Sequence, residues 1–202
     1  MFTAASETFN QKNINCTIAE SIERFKPVVA RAKKEKLIVR AYISTALHCP
    51  YEGAIAPERV VAVAARLLTL GVDELSIGDT IGKGSPLEGR RLLDELLRAV
   101  NARTVILHFH DTYGMAVANA LTAWQEYGIT AFDSSAGALG GCPYAPGASG
   151  NVATEDLAFA LKASRAQISI DLDKLREATR ILEPHLGHGM ASHLGRIQSA
   201  KG

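Results

Sequence analysis

Residues 74–110 read ELSIGDTIGKGSPLEGRRLLDELLRAVNARTVILHFH, and this stretch decides the fold class. It begins with an apolar strand candidate at residues 74–79 and ends with a second one at residues 104–110. Between them, Ser85 is placed to cap a helix that has Pro86 in its first turn, where proline is tolerated. A strand, a helix and a strand of these lengths form a βαβ unit, which predicts a parallel sheet.

The same alternation continues on both sides of that unit. Further strands are predicted at residues 2–5, 37–44 and 129–134, and helices at residues 18–34, 57–70, about 113–127, from about 154 and from about 171. Thr17 and Glu20 read as a capping box, Pro57 opens a helix and Gly71 ends it. Five βα units fit this pattern. Periodicity alone does not distinguish an open doubly wound sheet from part of a closed barrel.

The composition excludes several classes of protein. The 202 residues carry 22 basic and 21 acidic side chains, a net charge of +1, whereas nucleic-acid binders normally show a clear basic excess. No apolar run approaches the roughly 18–20 residues that cross a bilayer. The first residues lack the basic and apolar segments of a secretory signal. Three widely spaced cysteines argue against a disulfide framework and favour a reducing cytoplasm.

Polar side chains end the predicted strands, at the edge where α/β proteins place functional groups. Asp79 ends one strand and Asp133 another. His108 and His110 are two apart on the strand between them, so both imidazoles should project to the same face. That spacing suits two ligands of one metal ion. The alternative is a pair of hydrogen-bonded polar residues at a strand end, and the pair alone leaves both interpretations open.

A loop rich in glycine and proline, GGCPYAPGASGN at residues 140–151, follows the last predicted strand. Its position is typical of an active-site lid, which favours a chemical role for Cys142. Cys16 and Cys49 instead fit the usual role of free cysteine as a small buried apolar residue. Asn151 ends the loop, either as a turn or helix-capping residue or as a donor of its amide oxygen to a hard cation. Composition does not separate these two roles.

Several short motifs together resemble one enzyme family. They are AASE (residues 4–7), NINC (13–16), CPYEG (49–53), GDTIG (78–82), HFHDTYG (108–114) and GGCPYA (140–145). In this order they are similar to 3-hydroxy-3-methylglutaryl-CoA (HMG-CoA) lyases, over roughly residues 2–165. The HxHDTYG strand end is shared with related synthases and aldolases of a wider metallo-barrel superfamily, while the cysteine loop is particular to the lyase.

The resemblance implies a (β/α)8 barrel fold, with about five of the eight βα units present and helices at the C-terminal end. The partial barrel is expected to span residues 1–186, and the terminal position of residues 187–202 predicts a poorly ordered tail. The resemblance also implies that His108, His110 and Asn151 are ligands of a divalent cation, either Mg²⁺ or Mn²⁺.

The resemblance further implies a reaction. The protein would cleave HMG-CoA, an acyl-CoA substrate, to acetyl-CoA and acetoacetate in leucine degradation and ketone-body formation. Cys142 would be the catalytic thiol that protonates an enolate, His108 and Asp79 would be further catalytic residues, and Glu155 would support Asn151. No nucleic-acid or membrane partner is expected, and the full-length form is expected to be a cytoplasmic homodimer.

One family feature has no counterpart in this sequence. The family's first strand carries an Arg-Asp motif whose Asp is a metal ligand, and this chain starts near what should be the fourth strand. The chain is therefore interpreted as N-terminally truncated, with incomplete activity expected for it alone. The alternatives are another metallo-barrel enzyme, such as a 2-oxoacid aldolase or an acyl-CoA-using synthase, and a non-catalytic remnant that binds a partner.

Overall fold

The computed structural model describes residues 1–141, 150–187 and 189–199. Its strands are Phe2–Ala4 (β1), Arg40–Ser44 (β2), His48–Cys49 (β3), Gly53–Ala54 (β4), Glu74–Asp79 (β5), Val105–Phe109 (β6) and Phe132–Asp133 (β7). Its helices are Glu7–Ile14 (α1), Ile18–Lys34 (α2), Pro57–Leu70 (α3), Pro86–Ala99 (α4), Ala116–Tyr127 (α5), Thr154–Ala163 (α6), Leu172–Leu182 (α7) and His193–Ser199 (α8). Within the described residues, no helix combines the length and apolar character that crossing a bilayer requires.

The strand order distinguishes the two architectures that periodicity left open. Among the described residues, the main sheet runs β1-β2-β5-β6-β7, and every neighbouring pair is parallel. Successive helices from α2 to α7 pack against one another in chain order, as they do when they cover one face of a sheet. A doubly wound sheet reverses its strand order at a switch point and carries helices on both faces, whereas a barrel winds in one direction. The prediction of about five βα units of a (β/α)8 barrel is confirmed.

The two faces of this sheet differ in character because side chains alternate along each strand. The face that packs against the helices is apolar and buried: Ala41, Ile43, Leu75, Ile77, Val105 and Leu107. The opposite face, here called the open face, carries polar and aromatic side chains: Arg40, Tyr42, Glu74, Ser76 and His108. The hydrophobic core therefore lies between the sheet and the helices, where each fully buried aliphatic side chain contributes roughly 1.5–3 kcal/mol.

The predicted helix ends are confirmed at the residues that carry cap signals. Thr17 and Glu20 form a reciprocal capping box at the start of α2. The Ser85 hydroxyl caps α4, which has a proline in its first turn. Pro57 begins α3, and Gly71 ends it with a left-handed φ of 99°, a conformation that costs glycine least.

Other boundaries differ from the prediction by a few residues. Strand β2 begins at Arg40 and not at residue 37, and β7 comprises only Phe132–Asp133. Helix α5 begins at Ala116, because the preceding turn is closed by the Asp111 carboxylate, which accepts a hydrogen bond from the Ala116 amide (2.9 Å). Side-chain contacts of this kind decide where an element ends, and periodicity does not reveal them.

The sequence does not predict α1 or the antiparallel hairpin of β3 and β4. Helix α1 has no continuous apolar stripe, since it buries only Phe9 and Asn10. It is held by its ends: Ser6 accepts a hydrogen bond from the Phe9 amide, and Asn15 adopts a left-handed conformation as the C-cap. Strands of two residues are too short for alternation to be recognised.

The predicted poor order of the C-terminal tail is wrong for residues 189–199, which the structure describes. The amides of His193 and Leu194 donate hydrogen bonds to the Asp156 carboxylate (2.8 and 2.9 Å), which satisfies the first turn of α8. Met190 is buried just before that turn. These partners are distant in sequence, so local composition could not predict the order that they impose.

Glu52, in the turn between β3 and β4, ties this hairpin to α1. Its carboxylate accepts hydrogen bonds from the Ser6 hydroxyl (2.6 Å), the Thr8 amide (2.9 Å) and Arg59 (2.8 Å). Burial raises the pKa of Glu52, but these hydrogen bonds outweigh burial and lower the pKa to about 2. Glu52 therefore fixes the start of α1 at the carboxyl edge of the sheet.

Glu52→Gln is expected to lower the free energy of unfolding at pH 7 by about 1–2 kcal/mol. This is less than the full pKa shift implies, because the Glu52 side chain is 24% exposed and solvent screens its contacts. A depressed pKa stabilises the folded state above the unfolded-state pKa of about 4.3, and that stabilisation is lost as the pH falls towards the folded-state value. Wild type and Glu52→Gln should therefore have equal free energies of unfolding at about pH 2. Urea unfolding at a series of pH values measures this difference.

The control for this prediction is Glu177→Gln, which neutralises an exposed carboxylate on α7. It should change stability little at any pH, because an exposed surface charge contributes little. A difference between wild type and Glu52→Gln that persists at the lowest pH would show that lost packing, and not the carboxylate charge, is responsible.

Candidate active site

His108 and His110 lie at the carboxyl end of β6, with both side chains on the open face as their spacing predicts. Their Nε2 atoms are 3.4 Å apart, and their ring centroids are 5.3 Å apart. Both rings line a cavity of about 370 Å³ on the open face. Two imidazole nitrogens that converge in this way can act together on one cation or one substrate oxygen.

The electrostatic environment keeps His110 uncharged near neutral pH. Burial, reinforced by the neighbouring His108, lowers the pKa of His110 to about 4. The neutral ring has a lone pair for a cation or a proton. The Nδ1 atoms of both rings are buried and have no hydrogen-bond partner among the described residues. Leaving a buried polar atom unpaired costs about 1–3 kcal/mol, which is more typical of a functional site than of a packed core.

Asn151 lies directly beside His110. The two residues form an isolated antiparallel bridge, so their side chains share one side of the backbone. Neighbouring backbone bonds hold this arrangement, from the Asp111 amide to the Gly150 carbonyl (2.7 Å) and from the Val152 amide to the Phe109 carbonyl (3.1 Å). The Asn151 side-chain nitrogen donates to the Leu139 carbonyl (3.0 Å), which orients the amide and leaves its oxygen as an acceptor. The structure thus brings together the three residues predicted as metal ligands.

Asp79 lies on the other side of the sheet. In the register of β5 and β6, Gly78 is opposite His108 and Asp79 is opposite Phe109, which faces the helices. Asp79 is 1% exposed and accepts a hydrogen bond from the Gly84 amide (2.9 Å). Burial raises its pKa to about 6. Asp79 therefore does not share the open face with the two histidines, because a shift of one residue along a strand reverses the face, and its catalytic role stays a prediction.

Sequence reasoning missed a polar network on the open face around Asp133. Its carboxylate accepts hydrogen bonds from Arg40 (3.0 Å) and Ser76 (2.8 Å), and Arg40 also donates to Glu74 (2.8 Å). His108 Nδ1 lies 3.5 Å from Asp133 Oδ2, which is longer than a well-formed hydrogen bond. Burial raises the pKa of Asp133, but the contacts with His108 and Ser76 outweigh burial and lower it.

The signal that could have identified this network is strand parity. Counting in twos from His108, and across the aligned strands, places Arg40, Ser76 and Glu74 on the same face. Asp133 is the register partner of His108 on the neighbouring strand. Charged residues on the inner face of a strand are uncommon unless they are paired, so their coincidence points to a site.

Cys142, predicted as the catalytic thiol, lies outside the described residues. The residues that flank the undescribed segment 142–149 belong to the site, since Leu139 and Asn151 are joined by the hydrogen bond given above. Gly140 has a φ of 99° and Gly150 a φ of 76°, left-handed conformations that favour glycine. Glu155, predicted to support Asn151, is buried at the start of α6.

Comparison with known proteins gives consistent results. A family model described as HMGL-like matches residues 1–182. The hydroxymethylglutaryl-CoA lyase of Pseudomonas mevalonii is 46% identical over 201 residues, which is 100% of this chain and 66% of that protein. A 3-hydroxy-3-methylglutaryl-CoA lyase of Rattus norvegicus, named as cytoplasmic, is 48% identical over 178 residues, 88% of this chain and 52% of its own. Other relatives are named as mitochondrial.

A solved structure shows the same similarity in three dimensions. The HMG-CoA lyase of Bacillus subtilis superposes with a TM-score of 0.94 at 44% identity, over 98% of this chain and 66% of that one. The chain therefore spans between about half and two thirds of the length of the relatives that it matches.

Proposed function

Because this chain belongs to the HMGL-like family, we propose that the protein is a carbon–carbon lyase that cleaves HMG-CoA to acetyl-CoA and acetoacetate. The observation that carries this proposal is the convergence of the His108 and His110 Nε2 atoms, 3.4 Å apart, beside Asn151 on the open face. The names of the relatives support the substrate. The neighbouring cavity of about 370 Å³ has room for the acyl end of such a substrate.

The residues of the site fit a divalent cation. Among the described residues, no group of three or more histidine, cysteine, aspartate or glutamate side chains is placed to hold a metal. The imidazole nitrogens of His108 and His110 and the amide oxygen of Asn151 would instead form the ligand set. This mixture suits Mn²⁺, while Mg²⁺ would take further oxygens from water or substrate. When bound, the cation would act as a Lewis acid that lowers the pKa of the substrate's tertiary hydroxyl.

The chain's own residues would position and protonate the substrate. A general base would take the proton of the tertiary hydroxyl, the adjacent carbon–carbon bond would break, and acetoacetate would leave an acetyl-CoA enolate behind. Cys142 is proposed as the general acid that returns a proton to the enolate carbon. Asp133, held by Arg40 and Ser76, is placed to favour a proton on His108 Nδ1, which leaves the Nε2 lone pair available.

The test of this function is acetoacetate release from HMG-CoA in the presence of Mn²⁺ or Mg²⁺. Release should stop on addition of a chelator and return when the metal is restored. Cys142→Ala should abolish release while it leaves Mn²⁺ binding unchanged, because the thiol is proposed to transfer a proton and not to bind the cation. Release by Cys142→Ala at the wild-type rate would remove the thiol from the mechanism.

If the chain alone releases no acetoacetate, the greater length of its relatives indicates the next experiment. The same assay is then repeated with the chain extended by the βα units that the longer relatives carry. A folded protein that still releases no acetoacetate would contradict the lyase proposal. Turnover of a 2-oxoacid or of a different 3-hydroxyacyl-CoA in its place would identify another metallo-barrel activity.

The quaternary structure and cellular location are also proposals. A homodimer of the full-length protein is proposed, which light scattering coupled to size-exclusion chromatography would test. A cytoplasmic location is proposed on the grounds that relatives named as cytoplasmic resemble this chain, although others are named as mitochondrial. A monomer in solution at micromolar concentration would contradict the first of these proposals.

A further inference from the structure

The C-terminal segment, here meaning residues 190–194, packs against the start of α6 and against the turn at Gly137. Ser192 in this segment is 1% exposed, and its hydroxyl donates a hydrogen bond to Glu155 Oε1 (2.8 Å). Met190 is 7% exposed. A buried hydroxyl on a buried carboxylate is a specific contact, because each group would be costly to bury without the other.

Glu155 connects this segment to a short 3₁₀ turn, Ala136–Ala138. Both of its carboxylate oxygens accept from the Gly137 amide, at 3.0 Å each. A carboxyl group that is only 7% exposed needs such donors because few water molecules can reach its oxygens. The donors come from two parts of the chain, the 3₁₀ turn and Ser192, so Glu155 holds these two parts in a fixed relation.

The turn Ala136–Ala138 is linked to Asn151 through the residue that follows the turn. Leu139 follows it, and the Leu139 carbonyl accepts the Asn151 side-chain hydrogen bond (3.0 Å). Gly137 has a φ of 67°, and a Cβ there would lie 2.5 Å from the Met190 sulfur. The Met190 side chain therefore packs directly against the turn at Gly137.

Asp156, next to Glu155 on α6, anchors the same segment. Its carboxylate accepts hydrogen bonds from the His193 amide (2.8 Å), the Leu194 amide (2.9 Å) and His193 Nδ1 (3.0 Å). An acidic side chain at a helix N-terminus satisfies free amides and interacts favourably with the helix dipole. Two adjacent carboxylates of α6 thus fix the segment, one through α8 and the other through Ser192.

We infer that Ser192, acting through Glu155 and Gly137, is a positioning residue for Asn151. The series of hydrogen bonds runs from Ser192 to Glu155, to the turn at Gly137, and from Leu139 to the Asn151 amide. Its consequence for cation binding rests on the proposed function, in which Asn151 is a ligand. The series itself does not depend on a cation, so it can be tested separately.

Ser192→Ala is the test, read out by NMR of the cation-free protein and by Mn²⁺ titration. We expect the Gly137 amide to exchange faster with solvent and the Asn151 side-chain amide resonances to shift, and the midpoint of thermal unfolding should fall by about 2–8 °C because Glu155 loses a hydrogen-bond donor. Mn²⁺ binding should weaken about tenfold, the lower end of the effect of losing support behind a metal ligand. Ser192→Thr, which keeps the hydroxyl, should restore both signals.

Ile197→Ala is the matched control, since Ile197 is on α8 but 64% exposed. It should change neither the Gly137 exchange nor the Asn151 resonances. Unchanged Gly137 and Asn151 signals in Ser192→Ala would overturn the inference, even if α8 itself becomes less ordered. Failure of the wild type to bind Mn²⁺ would instead count against the proposed cation site, and the NMR comparison would still decide the role of Ser192.

Discussion

His110→Ala is expected to abolish cation binding and HMG-CoA cleavage. The His110 ring is held neutral by burial and lies with its Nε2 atom 3.4 Å from that of His108, so its removal deletes one of two converging nitrogens. Affinity for Mn²⁺ should fall by at least about 100-fold. Loss of a residue that only supports a metal ligand already costs up to about 100-fold, and loss of the ligand itself should cost at least as much. Because the cation is proposed to activate the substrate hydroxyl, acetoacetate release should fall by about 1000-fold or more.

The measurements are Mn²⁺ titration followed by electron paramagnetic resonance and an assay of acetoacetate release. His185→Ala is the control, because His185 is an exposed histidine near the end of α7. It should leave both properties unchanged. Thermal unfolding checks that His110→Ala is folded. Wild-type Mn²⁺ affinity in folded His110→Ala would exclude this residue as a ligand and with it the proposed cation site.

Gly82→Ala is expected to destabilise the fold strongly and to disturb the candidate site. Gly82 has a φ of 67°, and a Cβ there would lie 2.7 Å from the His110 carbonyl oxygen and 2.9 Å from the Thr112 nitrogen. These are backbone atoms, which cannot rotate away as a side chain would. The left-handed conformation costs about 1–2 kcal/mol and the overlap about 1–3 kcal/mol more, so unfolding free energy should fall by about 3 kcal/mol.

The same overlap should displace His110 and weaken Mn²⁺ binding. Gly128→Ala is a closely matched control, since Gly128 also has a φ of 67° but a Cβ added there would meet no atom within 4 Å. It should cost only the conformational part, about 1 kcal/mol, and leave Mn²⁺ binding unchanged. Urea unfolding and Mn²⁺ titration of both variants separate the two contributions. If Gly82→Ala and Gly128→Ala lose the same free energy of unfolding, the contact between residue 82 and the His110 backbone relaxes without cost.

The sequence identifies the repeated units of the fold because their signals are local. The capping box of Thr17 and Glu20 and the caps at Ser85 and Gly71 lie where the structure has helix ends. Strand β6, which contains His108, is recognised from its apolar run, and side-chain parity predicts that His110 shares the face of His108. Each of these features depends on neighbours within a few residues along the chain, which is the range over which periodicity and capping act.

The candidate site is only partly accessible to the same reasoning. Asp79 is an acidic residue at a strand end, as a catalytic group would be. It nevertheless faces the helices, because the residue before it, Gly78, is the one aligned with His108 on the open face. The Asp133 network was overlooked since its members lie on three different strands, which only the sheet register brings together. Residue type alone did not indicate either placement.

By itself, the sequence determined that this chain alternates strands and helices, where most of the helices begin, and which histidines share a face. The tertiary structure decided the winding of the sheet in one direction, the face on which Asp79 lies, and the ordered packing of residues 189–199 on α6. The physical reason is the range of the interactions. Helix caps and strand alternation are set by adjacent residues, whereas register, winding and tail docking depend on contacts between residues that folding brings together.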